Sequence, residues 1–105
     1  MNSKISDFQA RCYEVLLQVP RGKVTTYREI ARALGTTASR AVGTAMARNR
    51  NLRVIPCHRV VRSNGEIGEY ALGRDEKTRL LREEGITVRN GRIADLNRYL
   101  HRPGN

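Results

Sequence analysis

Cysteine is scarce in this 105-residue sequence: Cys12 and Cys57 stand far apart, with no others. Two widely spaced thiols make no disulfide framework, and free thiols persist in a reducing, intracellular compartment, cytoplasm or nucleoid or nucleus. Histidine is equally rare, at 2. A structural zinc site wants four Cys or His at paired spacings. Here Cys12, Cys57, His58 and His101 are scattered, so no metal is expected. The zinc-deaminase pattern also needs a second Cys shortly after Pro-Cys, where Val60 stands. No apolar run is long enough to span a bilayer, and no N-terminal stretch resembles a signal peptide. Membrane contact is therefore not expected. Internal repeats, low-complexity tracts and linkers are missing too. The length fits one domain over 1–105, with a modest core at about 6–93 and no room for a second catalytic domain. The last residues, from His101, are expected to fray.

Acidic residues are also few. Lys and Arg number 20 against 10 Asp and Glu, for a formal net charge of +10. A small domain this basic is expected to bind a polyanion, nucleic acid before a membrane surface or an acidic protein; the plain alternative is solubility alone. Arg40, Arg48, Arg50, Arg53, Arg59 and Arg62 concentrate the charge in the middle of the chain. Arginine suits planar, bidentate phosphate recognition better than lysine.

What is present reads as mostly helical. Ser6 and Gln9 have capping-box spacing ahead of an apolar stripe of Phe8, Cys12, Val15, Leu16 and Val19. On that stripe Cys12 is an inert core residue. Thr26 and Glu29 form a second box before Ile30, Ala33 and Leu34, and Gly35 stops that helix at a left-handed position. After Thr36-Thr37, a third helix runs from about Ala38 to Arg48. Its periodicity puts Ala41, Val42, Ala45 and Met46 inward and Arg40, Gly43, Thr44 and Ala47 outward. Helix, tight turn and small-faced helix make a helix-turn-helix, although two packed helices without a DNA role would read similarly. Leu52 to Val61 is expected to be extended or irregular. Around the Ser63-Asn64-Gly65 turn, Val60-Val61 and Glu66-Ile67 are expected to pair as a small wing. Gly68 and Gly73 bracket a loop holding Tyr70. A fourth helix spans about Asp75 to Glu84, with Gly85 as its stop, and Asn90-Gly91 turns a hairpin between Ile86–Val88 and Arg92-Ile93.

The chemistry centres on Cys57 and His58, side by side in Pro56-Cys57-His58-Arg59-Val60. A thiolate is the competent nucleophile, and a nearby base or cation is needed to favour it. Adjacent residues do not automatically face one another, so His58 would reach the sulfur through a water. On the fourth helix Lys77, Leu80, Leu81 and Glu84 share one face, which the leucines turn inward. Glu84 is then at least partly buried and needs a partner. Either His58 donates a ring N–H to it, giving a nucleophile, base and orienter, or Glu84 pairs with an arginine or its own helix's cations.

Pro56-Cys57-His58-Arg59-Val60-Val61 resembles the active-site motif of the O6-alkylguanine-DNA alkyltransferases. The resemblance extends from about Phe8 to Arg92. Thr26-Tyr27, Arg40-Ala41-Val42-Gly43, Ala45-Met46, Asn49, Gly68, Tyr70, Lys77 and Glu84 stand at the family's offsets from the cysteine. By this resemblance Cys57 accepts the alkyl group, His58 is a water-mediated base and Glu84 orients it. Asn49 ties the helix-turn-helix to the cysteine loop, where residue pattern alone gives a helix cap. Tyr27 sits by the extruded nucleotide and its phosphate, and Arg40 fills the stack that the guanine leaves. Tyr70, with Ala71 and Leu72 after it, lines the base pocket; an unaided reading makes Tyr70 core. Lys77 supports the active-site loop, against a plain reading as a solvated helix charge. The family docks its recognition helix in the minor groove, which suits a small face of Ser39, Ala41 and Gly43 with Met46 nearby. That placement of Ala41 conflicts with its inward position by periodicity.

The resemblance also marks departures. Longer members carry an additional N-terminal domain not found in this sequence, so the likeness is to the C-terminal catalytic domain only. Arg50 stands where Pro is common. Ala71 and Leu72 replace small residues, so Leu72 is expected to narrow the pocket against bulky adducts. Members that only bind lesions replace the cysteine with Trp.

The fold expected is α+β, mostly helical: a winged-helix-like domain with a helix-turn-helix and small β-hairpins. The function expected is stoichiometric transfer of a methyl or small alkyl group from O6 of guanine, or O4 of thymine, to Cys57. The partner is double-stranded DNA containing O6-alkylguanine, bound through the minor groove by a monomer without cofactor. One rival is a lesion-binding protein that leaves Cys57 idle. Another is a sequence-reading regulator, which would want long polar side chains on the third helix.

Overall fold

The structure is a computed structural model that describes residues 6–104. Helix α1 (Asp7–Leu16) begins where Ser6 accepts the Gln9 N–H at 3.0 Å. Gln9 does not return the bond. Its Nε2 donates instead to Tyr13 Oη at 2.8 Å, and that hydroxyl donates to the Ala45 carbonyl at 2.6 Å. A buried phenol needs such an acceptor, so the second half of the expected box is spent on tying α1 to the third helix. Cys12, Val15, Leu16 and Val19 are buried as the stripe requires, and burial pushes the Cys12 thiol up to about 11.

Strand β1 (Thr25–Thr26) leads directly into α2 (Tyr27–Ala33), capped by Thr26 Oγ1 accepting from the Glu29 N–H at 3.0 Å. The Glu29 side chain pairs with Arg32 at 2.7 Å rather than closing a box. Gly35, at φ +75°, donates to the Arg32 carbonyl while Thr36 donates to Ala31, both at 3.0 Å. This paired closure satisfies carbonyls left open at the helix end. Helix α3 (Ser39–Ala47) then packs its Val42, Ala45 and Met46 against α1 and α2. Ala41 is exposed, not buried. Tyr13 and Gln9 from α1 fill the space facing Ala45, and that rotates the inward arc away from Ala41. The outward assignment of Ala41 is the correct one. Met46 lies in the core at 6% exposure, so its side chain is not on the outer face where a DNA contact would place it.

After α3 comes the main departure from expectation. Cys57–Arg59 forms a single 3-10 turn, followed by β2 (Val60–Val61). This strand does not pair across the following turn. It lies parallel to β1, with Thr25 opposite Val60 and Thr26 opposite Val61. The turn at Ser63–Gly65 forms, with the Arg62 N–H donating to Glu66 at 2.8 Å and Gly65 at φ +95°. Glu66, however, bridges to Arg92. The pairing of β2 with a distant strand was chosen by burial. Val60 joins the cluster of α1, α2 and α3, while Val61 joins a second cluster with Val24, Ile67, Leu81, Ile86 and Ile93. Strand alternation thus places one short strand between two cores.

Helix α4 (Arg74–Glu83) ends at Gly85, φ +88°. The hairpin of β3 (Val88–Arg89) and β4 (Arg92–Ile93) closes through Asn90 and Gly91, at φ +52° and +74°, the geometry of a two-residue turn. The architecture is α+β and mostly helical, with the helix-turn-helix intact.

The chain end is not frayed up to residue 104. A short α5 (Leu96–Tyr99) is followed by parallel bridging of Val24 to Leu100, with Val24 N–H to Tyr99 at 2.9 Å and His101 N–H to Val24 at 2.7 Å. Pro103 is fully buried, and the Gln18 amide exchanges two bonds with the Gly104 backbone, at 2.9 and 3.2 Å. The final residue of the expected frayed tail lies outside the described residues. Removing residues 101–104 should therefore destabilise the domain by about 1–3 kcal/mol, through lost apolar burial and backbone bonds. Urea unfolding midpoints of the two chains test this; identical midpoints would show the tail contributes nothing.

Candidate active site

The cysteine turn is held from below by α4. Lys77, Leu81 and Glu84 point inward, as the spacing required, with Leu80 half-buried. Glu84 is the C-cap of α4 and its side chain is only 5% exposed. Its Oε2 lies 2.7 Å from His58 Nε2, and the Arg59 Nη2 donates to the same oxygen at 3.0 Å. Oε1 accepts from Arg59 Nε and the Gly22 N–H, both at 3.1 Å. The two partner readings for Glu84 are thus both realised. Burial opposes the carboxylate charge, but the bonds from Arg59, His58 and Gly22 outweigh it and hold the pKa at about 2.

His58 is buried, and burial pushes its pKa below the ordinary 6.5 against the pull of Glu84. The ring is therefore neutral near pH 7. An ionised Glu84 can only accept, so Nε2 carries the proton and Nδ1 is left with a free lone pair. Arg59, not among the residues anticipated, supplies the positive charge that balances Glu84, and its Nη1 also donates to the Val19 carbonyl at 2.9 Å. Its place next to His58 in the motif, facing a buried acid, was the available signal.

Cys57 itself is 6% exposed. Burial pushes its thiol up, while the Asn49 amide and the Lys77 charge pull it down. The resting group is thus a thiol, and a base has to take its proton before it attacks. Asn49, buried at the end of α3, reaches across the intervening loop. Its Nδ2 donates to Cys57 Sγ at 3.3 Å and to the Ile55 carbonyl at 3.1 Å, and its Oδ1 accepts the Asn51 N–H at 2.8 Å. One side chain therefore joins the end of α3 to the sulfur. Lys77 is not a solvated charge. It is 0% exposed, and Nζ donates to the Val60 carbonyl at 2.7 Å and the Glu69 carbonyl at 3.0 Å. Burial lowers its pKa to about 8.

Tyr70 stands beside the site, its ring edge-on to His58 with centroids 6.5 Å apart, half-buried rather than fully in the core. Ala71 and Leu72 are exposed, Leu72 at 61%. Tyr27 is half-buried at the start of α2. A Cβ on Gly68 would lie 3.3 Å from its hydroxyl, and one on Gly43 would lie 4.0 Å from its Cδ1. Gly68 thus makes room for this ring, whereas a Cβ at Gly43 would sit in ordinary contact with it. On α3, Arg40 and Ala41 are exposed and Ser39 and Gly43 half-exposed, a small surface with one long cation.

The Glu84 pKa has a stability consequence. Its carboxyl is held at about 2 in the fold against an ordinary 4.5. A depressed acid stabilises fully above its unfolded value, and that contribution is lost as pH falls through the window down to about 2. Unfolding free energy measured by denaturant should drop between pH 4.5 and 2 in the parent chain, and drop less in Glu84→Gln. Equal pH slopes for both would show that another carboxylate controls acid unfolding.

A "Bifunctional methyltransferase/endonuclease" of Picrophilus torridus is 49% identical over 94 residues, covering 89% of this chain and 31% of that protein. A "Methylated-DNA--protein-cysteine methyltransferase" of Saccharolobus islandicus is 43% identical over 88 residues, covering 84% and 57%. The chain thus spans between about a third and somewhat over half of these curated relatives. Among solved structures, S. pombe Atl1 in complex with damaged DNA containing O6-carboxymethylguanine superposes with a TM-score of 0.83 at 31% identity, covering 96% of this chain and all of that one. Residues 7–86 match the description "6-O-methylguanine DNA methyltransferase, DNA binding domain", and the chain belongs to that family.

Proposed function

We propose that this chain repairs alkylated DNA directly, moving a methyl or small alkyl group from O6 of guanine, or O4 of thymine, to Cys57, once per molecule. The observation that carries the reading is the Cys57 sulfur held by Asn49, beside a neutral His58 whose other nitrogen is fixed by Glu84. Residues 1–105 act as one DNA-binding and transfer unit in this reading, a monomer that needs no metal or cofactor.

The roles of the residues in these steps are those that the family resemblance implies. The alkyl carbon of the lesion lies inside the duplex, so the nucleotide has to be extruded. The exposed face of Ser39, Ala41 and Gly43 admits a close backbone approach in the minor groove, and Arg40 occupies the vacated stack. Tyr27 meets the extruded nucleotide near its phosphate, and Tyr70 lines the base, with Ala71 and Leu72 at the rim. His58 Nδ1 takes the thiol proton, through one bridging water as the resemblance implies. The sulfur attacks the alkyl carbon; the S–C bond forms and the C–O6 bond breaks. The electron pair stays on the guanine, and the proton that His58 took is passed on through water to neutralise it. The thioether has no easy leaving route, so the protein is consumed.

A labelled methyl group on O6-methylguanine duplex should appear on Cys57 by peptide mass, at one per protein, with reaction ending at equivalence. Cys57→Ala should lose all transfer and keep lesion binding; Cys12→Ala should transfer normally, because Cys12 is sealed in the core. Label on Cys12, or many lesions repaired per molecule, would sink the mechanism. An unlabelled chain that binds lesions tightly would favour the lesion-binding rival.

Arg40→Ala should slow transfer far more in duplex than in single-stranded substrate, because a single strand needs little extrusion. Single-turnover rates on both substrates test it. Equal slowing would leave Arg40 only a charge or folding role.

A further inference from the structure

An open groove lies between α2 and the Ser63-Asn64 turn, lined by Tyr27, Arg28, Thr36, Ser39 and Arg62 among others. A smaller cleft of about 270 Å³ is lined by Arg62, Glu66, Gly68, Arg74, Gly91 and Arg92 among others. Arg62 is the residue the two share. The other cations of the cleft already have acids: Arg74 pairs with Glu69 and Arg92 with Glu66. Arg62 is exposed and, among the described residues, enters no ion pair.

Its position is nevertheless fixed. Arg62 directly follows β2, donates its N–H to Glu66 at 2.8 Å and accepts the Gly65 N–H at 2.9 Å. Its stem packs on the Gly68 backbone, where an added Cβ would meet Arg62 Cγ at 3.7 Å and the Tyr27 hydroxyl at 3.3 Å. A guanidinium without an acid, rooted in an anchored backbone and set beside a tyrosine at the meeting of two grooves, fits a singly charged tetrahedral anion. Arg forks match phosphate oxygens in two parallel bonds.

We infer that Arg62 clamps one phosphodiester of the lesion-bearing strand, next to the extruded nucleotide, and leads that strand from the α2 groove toward the Arg74 and Arg92 cleft. The inference rests on the proposed function and adds a positioning residue to it. Arg62 touches the backbone and acts on the reaction only by holding the nucleotide in place.

The test measures affinity for a duplex containing O6-methylguanine as salt is varied, using the parent, Arg62→Ala, Arg62→Lys and Arg79→Ala. Arg79 is the control, since it is occupied by Glu76 and Glu83 on the outer side of α4. Arg62→Ala should bind about tenfold more weakly at low salt, and its log affinity against log salt should be shallower by about 0.9, one phosphate contact. Arg62→Lys should restore the slope but only part of the affinity, and Arg79→Ala should match the parent. Neutral methylphosphonates placed one at a time around the lesion identify the phosphate. At one position the parent should weaken while Arg62→Ala is indifferent. A parent that alkylates Cys57 normally, with Arg62→Ala indistinguishable from Arg79→Ala or with methylphosphonate losses additive at every position, overturns the clamp and leaves the repair reading standing. A parent that takes no label and shows no lesion preference overturns both.

Discussion

Everything at the cysteine depends on one buried carboxylate. Glu84 closes α4, and from there it holds the 3-10 turn through His58 and Arg59 and the loop before β1 through Gly22. Taking an acid out of water is costly unless its lone pairs are filled and its charge is matched. Here Arg59 matches the charge, so His58 does not have to. The histidine stays neutral, its proton fixed on the Glu84 side, and its other nitrogen is available as a base. Burial is the larger reason that the ring stays neutral, and the Arg59 charge acts in the same direction. Removing Glu84 would leave the half-buried Arg59 without its carboxylate and with only the Val19 carbonyl to bond. The orienting role of Glu84 is inseparable from its structural one.

Lys77 makes the second tie, and its logic differs. Among the described residues no carboxylate pairs with it; its Nζ is bonded to two carbonyls, Val60 beyond the cysteine turn and Glu69 beside Tyr70. Burial is the larger influence, which is why its pKa falls to about 8. The fold tolerates this because one ammonium fixes the spacing between the cysteine turn and the loop that carries Tyr70. It also places a positive charge near Cys57, favouring thiolate when a proton acceptor is present. With Val60 and Val61 facing opposite clusters, the cysteine turn is pinned on both sides of β2.

The parts of this arrangement legible in the sequence were those governed by local rules. Thr26 and Ser6 cap because a hydroxyl precedes an apolar period; Gly35, Gly85 and Gly91 take positive φ where helices and a hairpin must turn. The face of α4 was readable because its two leucines flank a lysine and a glutamate at regular spacing. What was not legible depended on partners far away in sequence. The parallel pairing of β2 with β1 joins segments more than thirty residues apart, whereas the nearer Glu66-Ile67 offered an equally good local pattern. Pro103 finds its place only against helices folded from the other end of the chain. Ala41 was misplaced because alanine is compatible with either face, and the packing of Val42, Ala45 and Met46 on α1 and α2, with the Tyr13 bond to Ala45, decides the rotation of α3. Arg59 was not singled out because the spacing that buries Glu84 does not say which arginine reaches it.

That rotation of α3 links the two halves of the proposed activity. With Ala45 held from inside by Tyr13, the helix must present Arg40 and Ala41 outward and must end with Asn49 turned inward. Asn49 then spends its amide on Cys57 Sγ and Ile55 and its oxygen on Asn51. A helix turned by one residue would bury Ala41, as periodicity alone suggested, and would carry Asn49 roughly 100° away from the sulfur. The surface offered to DNA and the position of the nucleophile are therefore set by the same packing choice. The small residues outside and the hydrogen-bonded ones inside are two sides of one constraint. A substitution that enlarged Ala45 would be expected to disturb both lesion binding and the cysteine, even though Ala45 touches neither.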